Sequence, residues 1–490
     1  MQPRGLWPLI ALILGLLATP SDAHAQLAFT STDYPVGGAP AALATGDFNG
    51  DGALDLAVTI ADGAAVQILL GNAGAFVAGN TVPVGTNPVD IVTADFNNDG
   101  HLDFATADND APSSLVGFAT VSIRLGDGLG AFSAAPFIDA FICRAIASGD
   151  FNGDGNADLA IHRGAGHPGA NSFVWMYLGD GLGGFTANGQ YTVGINVWDL
   201  HATHVNNDSF LDLVVTCNGV QPQLDSGVFT VIGDGTGSFT AFPTNPLMAP
   251  YMASALGDFD GNGSVDLVAH RVGGSGCQDS IDVVSGDGAG GFAIATTLTL
   301  PCGDHTFATA DWNGDGESDI AVARQANPLS PTLVGSVTMA LSDTIGGYTL
   351  QDVAVAQAPR ALLSEDLDGN GMPDLVVAHG GATNITVLLN GGVTTASVFL
   401  RGDSNSNGSI GIDDAITTLQ YLFVAGTPVP TCLDAADFDD NGSVVLNDPI
   451  AVLAYLFNNG ATPPLPFPIC GFDVTPSSLA ACNYPQASCP

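Results

Sequence analysis

The chain has 490 residues, 46% of them apolar, with 63 Gly and 8% aromatics, which excludes a helical bundle and points to turn-rich β structure with enough apolar residues for a core. Its formal net charge is −41 and it contains no Lys, an acidity that argues against nucleic-acid and anionic-membrane partners.

In chain order, Arg4 precedes an apolar run from Leu6 to Ala18, and Ala23-His24-Ala25 has the small-x-small form of a cleavage site. Residues 1–25 therefore read as a secretory signal cleaved after Ala25, and the mature protein is expected to be secreted and extracellular. No other stretch is long and apolar enough to span a bilayer, so no membrane insertion is expected.

From Gly46 onward one phrase recurs seven times, from GDFNGDGALDLAV to EDLDGNGMPDLVV. Its loops open at Asp47, Asp95, Asp150, His204, Asp258, Asp311 and Asp366, a period of 48 to 55 residues, which belongs to propeller blades or solenoid turns. A second phrase keeps step with it, from LGNAGAF at Leu70 to LSDTIGGY at Leu341. Between them lie short apolar runs and Gly-rich turns, the grammar of strands, about four to a unit. Four-stranded units repeated radially make a propeller, since ring closure leaves only short protected edges. The segment Leu27 to Pro40 matches the end of a unit, like Ala75 to Pro88, and is predicted to complete the last blade.

Six of the loops meet the needs of a hard cation: oxygens from positions 1, 3 and 5, a carbonyl at 7, a further carboxylate at 9, and Gly at 6 for the sharp turn. They are Asp47, Asn49, Asp51, Ala53 and Asp55; Asp95, Asn97, Asp99, His101 and Asp103; Asp150, Asn152, Asp154, Asn156 and Asp158; Asp258, Asp260, Asn262, Ser264 and Asp266; Asp311, Asn313, Asp315, Glu317 and Asp319; and Asp366, Asp368, Asn370, Met372 and Asp374. The fourth departs, with His204 at position 1 and Ser209 in place of Gly, and is not expected to hold metal. Ligand positions of the repeat loops and two later ones hold 25 of the 49 acidic residues, so the negative charge gathers where a divalent cation would neutralise it. Ca2+ is the expected cofactor.

These residues resemble the FG-GAP or VCBS repeats of integrin α-subunits and of secreted bacterial and fungal propeller proteins. The likeness covers residues 27 to 400 and implies an all-β, seven-bladed propeller of the integrin α N-terminal kind. It further implies that the Asp loops join the two inner strands of each blade on a lower face, with ligands met on the upper face. The propeller domain is taken as residues 26–400.

Residues 401–472 carry two loop-helix units 34 residues apart. Asp403, Asn405, Asn407, Ser409 and Asp414 fall at positions 1, 3, 5, 7 and 12 of an EF-hand-type loop, as do Asp437, Asp439, Asn441, Ser443 and Asp448. Ile416, Leu419, Leu422, Phe423, Ile450, Leu453, Leu456 and Phe457 recur at helical spacing and are expected to pack the units together. The pair resembles a dockerin, which implies a small α-helical domain, two more calcium ions, and a cohesin-like partner met through Ile412, Asp413, Leu446 and Asn447. Arg401-Gly402-Asp403 spells RGD, read as coincidence because Asp403 is already a ligand.

Eight Cys in an exported chain without a CxxC spacing read as disulfides. Cys432 with Cys470, Cys482 with Cys489 (closing a tail, residues 473–490) and Cys277 with Cys302 leave Cys143 with Cys217 by elimination.

Positions six before and thirteen after each loop's first residue should reach the upper face. Five of the seven Arg of the mature chain fall there. Arg144, Arg163, Trp198, Arg271, His305, Arg324, Arg360 and His379 form the candidate ligand surface, with Tyr251 flanking. The structural alternative pairs the Arg with Asp90, Asp108, Asp199 and Asp304. The expected function is non-catalytic recognition of an extracellular glycan or protein by a monomer; the alternative is a polysaccharide lyase using Arg163, Arg271 and Arg324 with His162, His270 or His305. No GxSxG or HExxH motif is present.

Overall fold

A computed structural model of the chain describes residues 26–109, 119–140, 142–164, 172–206, 208–219, 226–241, 247–272, 280–299, 305–324, 336–343, 346–355, 359–394, 400–424, 426–430, 432–439, 441, 443–458, 460–464 and 467. From Gln26 to Thr394 the chain forms seven antiparallel sheets, six of four strands and one whose outer strand is broken into Phe132–Ala134 and Ile138–Ala140. The first strands of the units are Pro40–Gly46, Pro88–Ala94, Ile146–Gly149, Val197–Thr203, Tyr251–Gly257, His305–Ala310 and Pro359–Glu365. Each packs against the first strand of the next unit, and the seventh against the first, which closes a seven-bladed ring. Second strands such as Asp55–Ile60 and Asp374–His379 are buried at every residue, as strands sandwiched between neighbouring blades must be.

Ring closure follows the sequence expectation. Gln26–Pro35 pairs with Asn384–Thr394 as the outer strand of the seventh blade. The Leu27 backbone exchanges hydrogen bonds of 2.9 and 2.8 Å with the Gln351 side chain of the sixth blade. The Thr386 hydroxyl donates to Asp33 at 2.5 Å and lies 2.7 Å from Nε2 of the buried His379, so the N-terminal strand is tied by side chains as well as by its ladder.

The two repeated phrases keep step because each blade's second phrase docks on the previous blade's first. The N–H groups of Gly74, Gly130, Gly183, Gly237 and Gly290 donate to the carbonyls of Leu367, Phe48, Phe96, Phe151 and Val205, at 2.9 to 3.1 Å, each acceptor being the second residue of the repeat loop one blade back. Edge-to-face ring pairs follow the same path, Phe48–Phe132, Phe96–Phe185 and Phe151–Phe239, with centroids 5.5 to 5.7 Å apart. In the seventh blade Asn390 supplies the lock through its side chain, donating to the Trp312 carbonyl at 3.1 Å.

One compact unit spans Leu27–Gly392. Leu400 packs with Cys432 and Ala435 of the C-terminal unit. That unit contains helices α1 (Ile412–Phe423), α2 (Leu433–Ala436) and α3 (Asn447–Phe457) among the described residues. α1 and α3 pack on each other, but through Ala415, Val452 and Phe438, with Leu453 and Leu456 alongside. The expectation that Ile416, Phe423, Ile450 and Phe457 make this contact is wrong: they are 47, 66, 53 and 69% exposed. The buried stripe runs through the small residues Ala415 and Thr418, which leaves these larger side chains on the outside.

Candidate metal loops and the opposite face

At position 1 of the six regular loops, one carboxylate oxygen accepts the N–H of position 5 at 3.0 to 3.2 Å and the other that of position 6 at 2.8 to 2.9 Å. Position 3 accepts from position 5 and position 5 from position 7, as in Asn49 with Asp51 and Asp51 with Ala53. Each donated N–H draws a side-chain oxygen inward over the loop. The backbone achieves this with a left-handed residue at position 6, where Gly52, Gly100, Gly155, Gly263, Gly316 and Gly371 have φ of +81 to +94°.

Position 9 has a second task. Both oxygens of Asp55, Asp103, Asp158, Asp212, Asp266, Asp319 and Asp374 accept backbone N–H groups. One comes from position 2 at 2.8 to 3.1 Å. The other comes from the third strand at 2.7 to 2.8 Å. These buried carboxylates staple loop to sheet in all seven blades, including the irregular fourth. The partner glycines Gly71, Gly126, Gly179, Gly233 and Gly286 are required by close approach, since a Cβ there would sit 2.0 to 2.3 Å from a backbone oxygen.

Where position 3 is acidic, three carboxylates converge. Asp258, Asp260 and Asp266, then Asp366, Asp368 and Asp374, then Asp437, Asp439 and Asp448 each bring ligand oxygens within 4.8 Å of one another. Where position 3 is Asn, its amide donates to the Asp at position 5, for example Asn97 to Asp99 at 2.8 Å. Burial, reinforced by the neighbouring carboxylates, raises the position 9 groups, Asp103 and Asp158 to about 6. Burial likewise takes Asp319 to about 7. Such clustering of like charge is unfavourable by itself. An all-oxygen donor set with backbone-fixed carboxylates fits a hard divalent cation.

The fourth loop is built differently. His204 Nδ1 donates to the Phe210 carbonyl at 2.8 Å, the position 7 oxygen that a metal would use, and Ser209 is not left-handed.

In the C-terminal unit Asp414 and Asp448 are buried, and each accepts from a backbone N–H just ahead of its helix, Gly411 at 2.7 Å and Val445 at 2.7 Å, and from the loop, Asn405 at 3.1 Å and Phe438 at 2.9 Å. They cap α1 and α3 while facing the other loop carboxylates. Burial, with Asp403 nearby, raises Asp414 to about 7. Arg401 and Asp403 are fully buried, so the RGD tripeptide is not displayed. Cys143 and Cys217 are both free and buried in different clusters, at the second/third and third/fourth blade seams, which overturns their pairing. Cys432 is disulfide-bonded; the pairings proposed for Cys277, Cys302, Cys470, Cys482 and Cys489 fall outside the described residues.

At the opposite end of the blades, strand register sets His305 beside Arg324, and Pro359 beside His379. The basic groups do not act alike there. Arg271 Nε lies 3.0 Å and a terminal nitrogen 3.2 Å from the buried Asp282, which also accepts from Tyr251 at 2.9 Å and Thr297 at 2.8 Å. Tyr251 is thus a buried anchor, not a flanking ring. Arg324 donates to Ser336 at 2.6 Å, Arg163 lies over Trp175 at 4.7 Å, Arg144 lies over Trp198 at 4.7 Å, Arg360 is exposed, and His379 is buried in the ring closure. The His305 side chain and most of the long loops after the second strands lie outside the described residues. Of the Asp groups expected to pair with these Arg, Asp304 lies outside the described residues, Asp90 accepts from Ile91 and Ile146, and Asp199 is held with His201. Asp108 accepts from Thr106, Thr120 and Ser122.

Sequence reasoning missed the partnership of Asp199 with His201, whose Nε2 is 3.6 Å from the carboxylate and 2.9 Å from Ser254 of the next blade. Burial opposes both charges, but each holds the other: Asp199 is lowered and His201 raised. Their place five and three residues before His204 was the available signal.

Residues 47–106 match the sequence model of the FG-GAP-like repeat. No curated protein matches the chain. Among solved structures, the crystal structure of BBS1N in complex with ARL6DN, soaked with lead, is similar with a TM-score of 0.50 at 13% identity, over 74% of this chain and 96% of that one. At that identity the likeness bears on fold alone, and with the strand order above it describes a seven-bladed propeller that carries an FG-GAP-like repeat.

Proposed function

We propose that the protein is a secreted, calcium-stabilised, non-catalytic recognition protein whose upper face meets an extracellular glycan or protein. The observation that carries this reading is the repeated, backbone-fixed convergence of carboxylates in the loops, three of which bring three acidic oxygens within 4.8 Å. Asp258, Asp260, Asn262 and Asp266, with the Ser264 carbonyl, would hold an ion in the fifth blade, and the equivalent residues would do so in the other regular loops. Calcium would supply the positive charge that cancels their mutual repulsion. The chain's own part is to orient the donors through the loop N–H groups and to tie each loop to its neighbour blade.

The C-terminal unit is proposed to bind two further ions and to tether the protein through a cohesin-like partner. Its exposed Ile412 and Leu446, each followed by a paired Ile and Phe at the same spacing, support that reading. The lyase alternative has less support: Arg271 is held by Asp282, while His162 and His270 are buried. A glycan array probed with and without chelator tests both halves of the proposal. Calcium-dependent retention of a glycan without product formation is expected; turnover to unsaturated uronate products lost in Arg271→Ala would replace recognition by lyase chemistry.

A further inference from the structure

Resting on the reading of the upper face as the ligand face, we infer that the seam between the third and fourth blades carries an oxyanion subsite built on Arg144 and Trp198, taking a carboxylate or sulfate group of an acidic glycan.

Other guanidinium groups of the chain are taken up within the fold. Arg124 donates to the Pro83 carbonyl at 2.8 and 2.6 Å, Arg271 is ion-paired with Asp282, Arg324 donates to Ser336, and Arg401 donates to the Asp437 carbonyl at 2.9 Å. Arg144 is half-buried, lies over the Trp198 ring at 4.7 Å, and has no hydrogen-bond acceptor or carboxylate partner among the described residues. In a chain of net charge −41 an unneutralised, partly desolvated cation is unexpected. Burial pushes its pKa down, a sign that its solvation is not replaced. The indole face offsets part of that cost but accepts none of its N–H groups, so all five donors remain for a ligand.

The surroundings add unpaired polar atoms. The indole Nε1 of Trp198 is buried without a hydrogen-bond partner, as are both ring nitrogens of His162, which is 2% exposed. The His162 N–H bonds the carbonyl of Ala145, the residue after Arg144. Burial and the Arg144 charge hold His162 at about 3, so it is neutral and adds no second positive charge beside the guanidinium.

Residue identity, on a backbone irregularity that other blades share, sets this seam apart from a seven-fold ring of spokes. Trp198 is the residue skipped where the register shifts between Val197 and Asp199, and Arg144 precedes its blade's first strand, Ile146–Gly149. Both therefore leave the regular ladder, as bulged residues do when a side chain is re-aimed. The equivalent points of the other blades carry Ala41, Val89, Met252, His305 and Arg360, so the pairing of Arg144 with Trp198 is what distinguishes this seam. An Arg fork matches a planar carboxylate or a sulfate with two parallel hydrogen bonds.

The test uses the full mature chain in calcium, titrated with polygalacturonate oligosaccharides, dextran sulfate and neutral dextran, and read by calorimetry and tryptophan fluorescence. One anionic probe is expected to bind, and which of the two binds distinguishes carboxylate from sulfate. Arg144→Gln should weaken it about tenfold or more, Arg144→Lys should recover only part, and Arg124→Gln, an equal change of charge elsewhere, should not matter. Unchanged melting of Arg144→Gln shows that folding is not the cause. The subsite is overturned if Arg144→Gln binds like the wild type or if neither anionic probe binds. In that last case a neutral glycan hit on the array leaves the recognition function standing, and an empty array removes both.

Discussion

Replacing Asp212 by alanine isolates the staple role of position 9 from any metal role, because the fourth loop has His204 where the first ligand should be. The fully buried Asp212 carboxylate accepts from Val205 N at 3.1 Å and from Gly233 N at 2.8 Å. Alanine leaves both N–H groups buried and unpaired, and at about 1–3 kcal/mol for each the variant should lose roughly 2–6 kcal/mol. The Asp212→Asn variant would retain one acceptor and should lose about half as much. Urea unfolding of Asp212→Ala, in calcium and in chelator, should show the same loss in both. Asp158→Ala, in a regular loop, removes the staple and a proposed ligand together, so its loss should be larger in calcium. A loss below about 1 kcal/mol for Asp212→Ala, or one confined to calcium, would refute the staple argument.

Three further outcomes are expected. His162 is held at about 3, below its ordinary value near 6.5, so the stability it contributes is present above pH 6.5 and is lost as pH falls toward 3. At pH 5 that is about 2 kcal/mol, and urea unfolding at pH 7.5 and 5.0 should show His162→Leu losing less than the wild type by that amount; an equal loss in both would contradict it. His204→Asp with Ser209→Gly restores the missing first ligand and the turn, so equilibrium dialysis should count one more calcium ion bound than in the wild type, and an unchanged count would show that another feature bars the fourth loop. Ile416→Ser and Phe457→Ser, on the exposed faces of α1 and α3, should change thermal stability by no more than about 0.5 kcal/mol, whereas a large loss would mean these faces are covered.

The propeller was legible because its repeats are long, in register and glycine-punctuated: the loops from Asp47 to Asp366 mark seven blades, and the likeness of Leu27–Pro40 to a blade end foretold the closure. The reason the two phrases recur together was not legible, since it lies in contacts between blades, such as Gly130 N to Phe48 O. Position arithmetic placed Arg144, Arg271 and Arg324 at one end of the blades, but could not say that Asp282 takes Arg271 while Arg144 has no acceptor among the described residues. The α1–α3 contact was misread because a run of apolar residues at helical spacing fits either face, and small Ala415 and Thr418, not large Ile416, permit the close packing. The Cys143–Cys217 pairing failed because elimination assumes that every thiol is oxidised, and these two point into different blade seams.

Calcium counted directly on the purified mature protein, with melting followed in the same samples as the ions are stripped, tests the central claim. About eight ions per chain are expected, six from the regular blade loops and two from the C-terminal unit, with a marked fall in melting temperature on their removal. A chain that holds no calcium, or that melts at the same temperature once stripped, would contradict it.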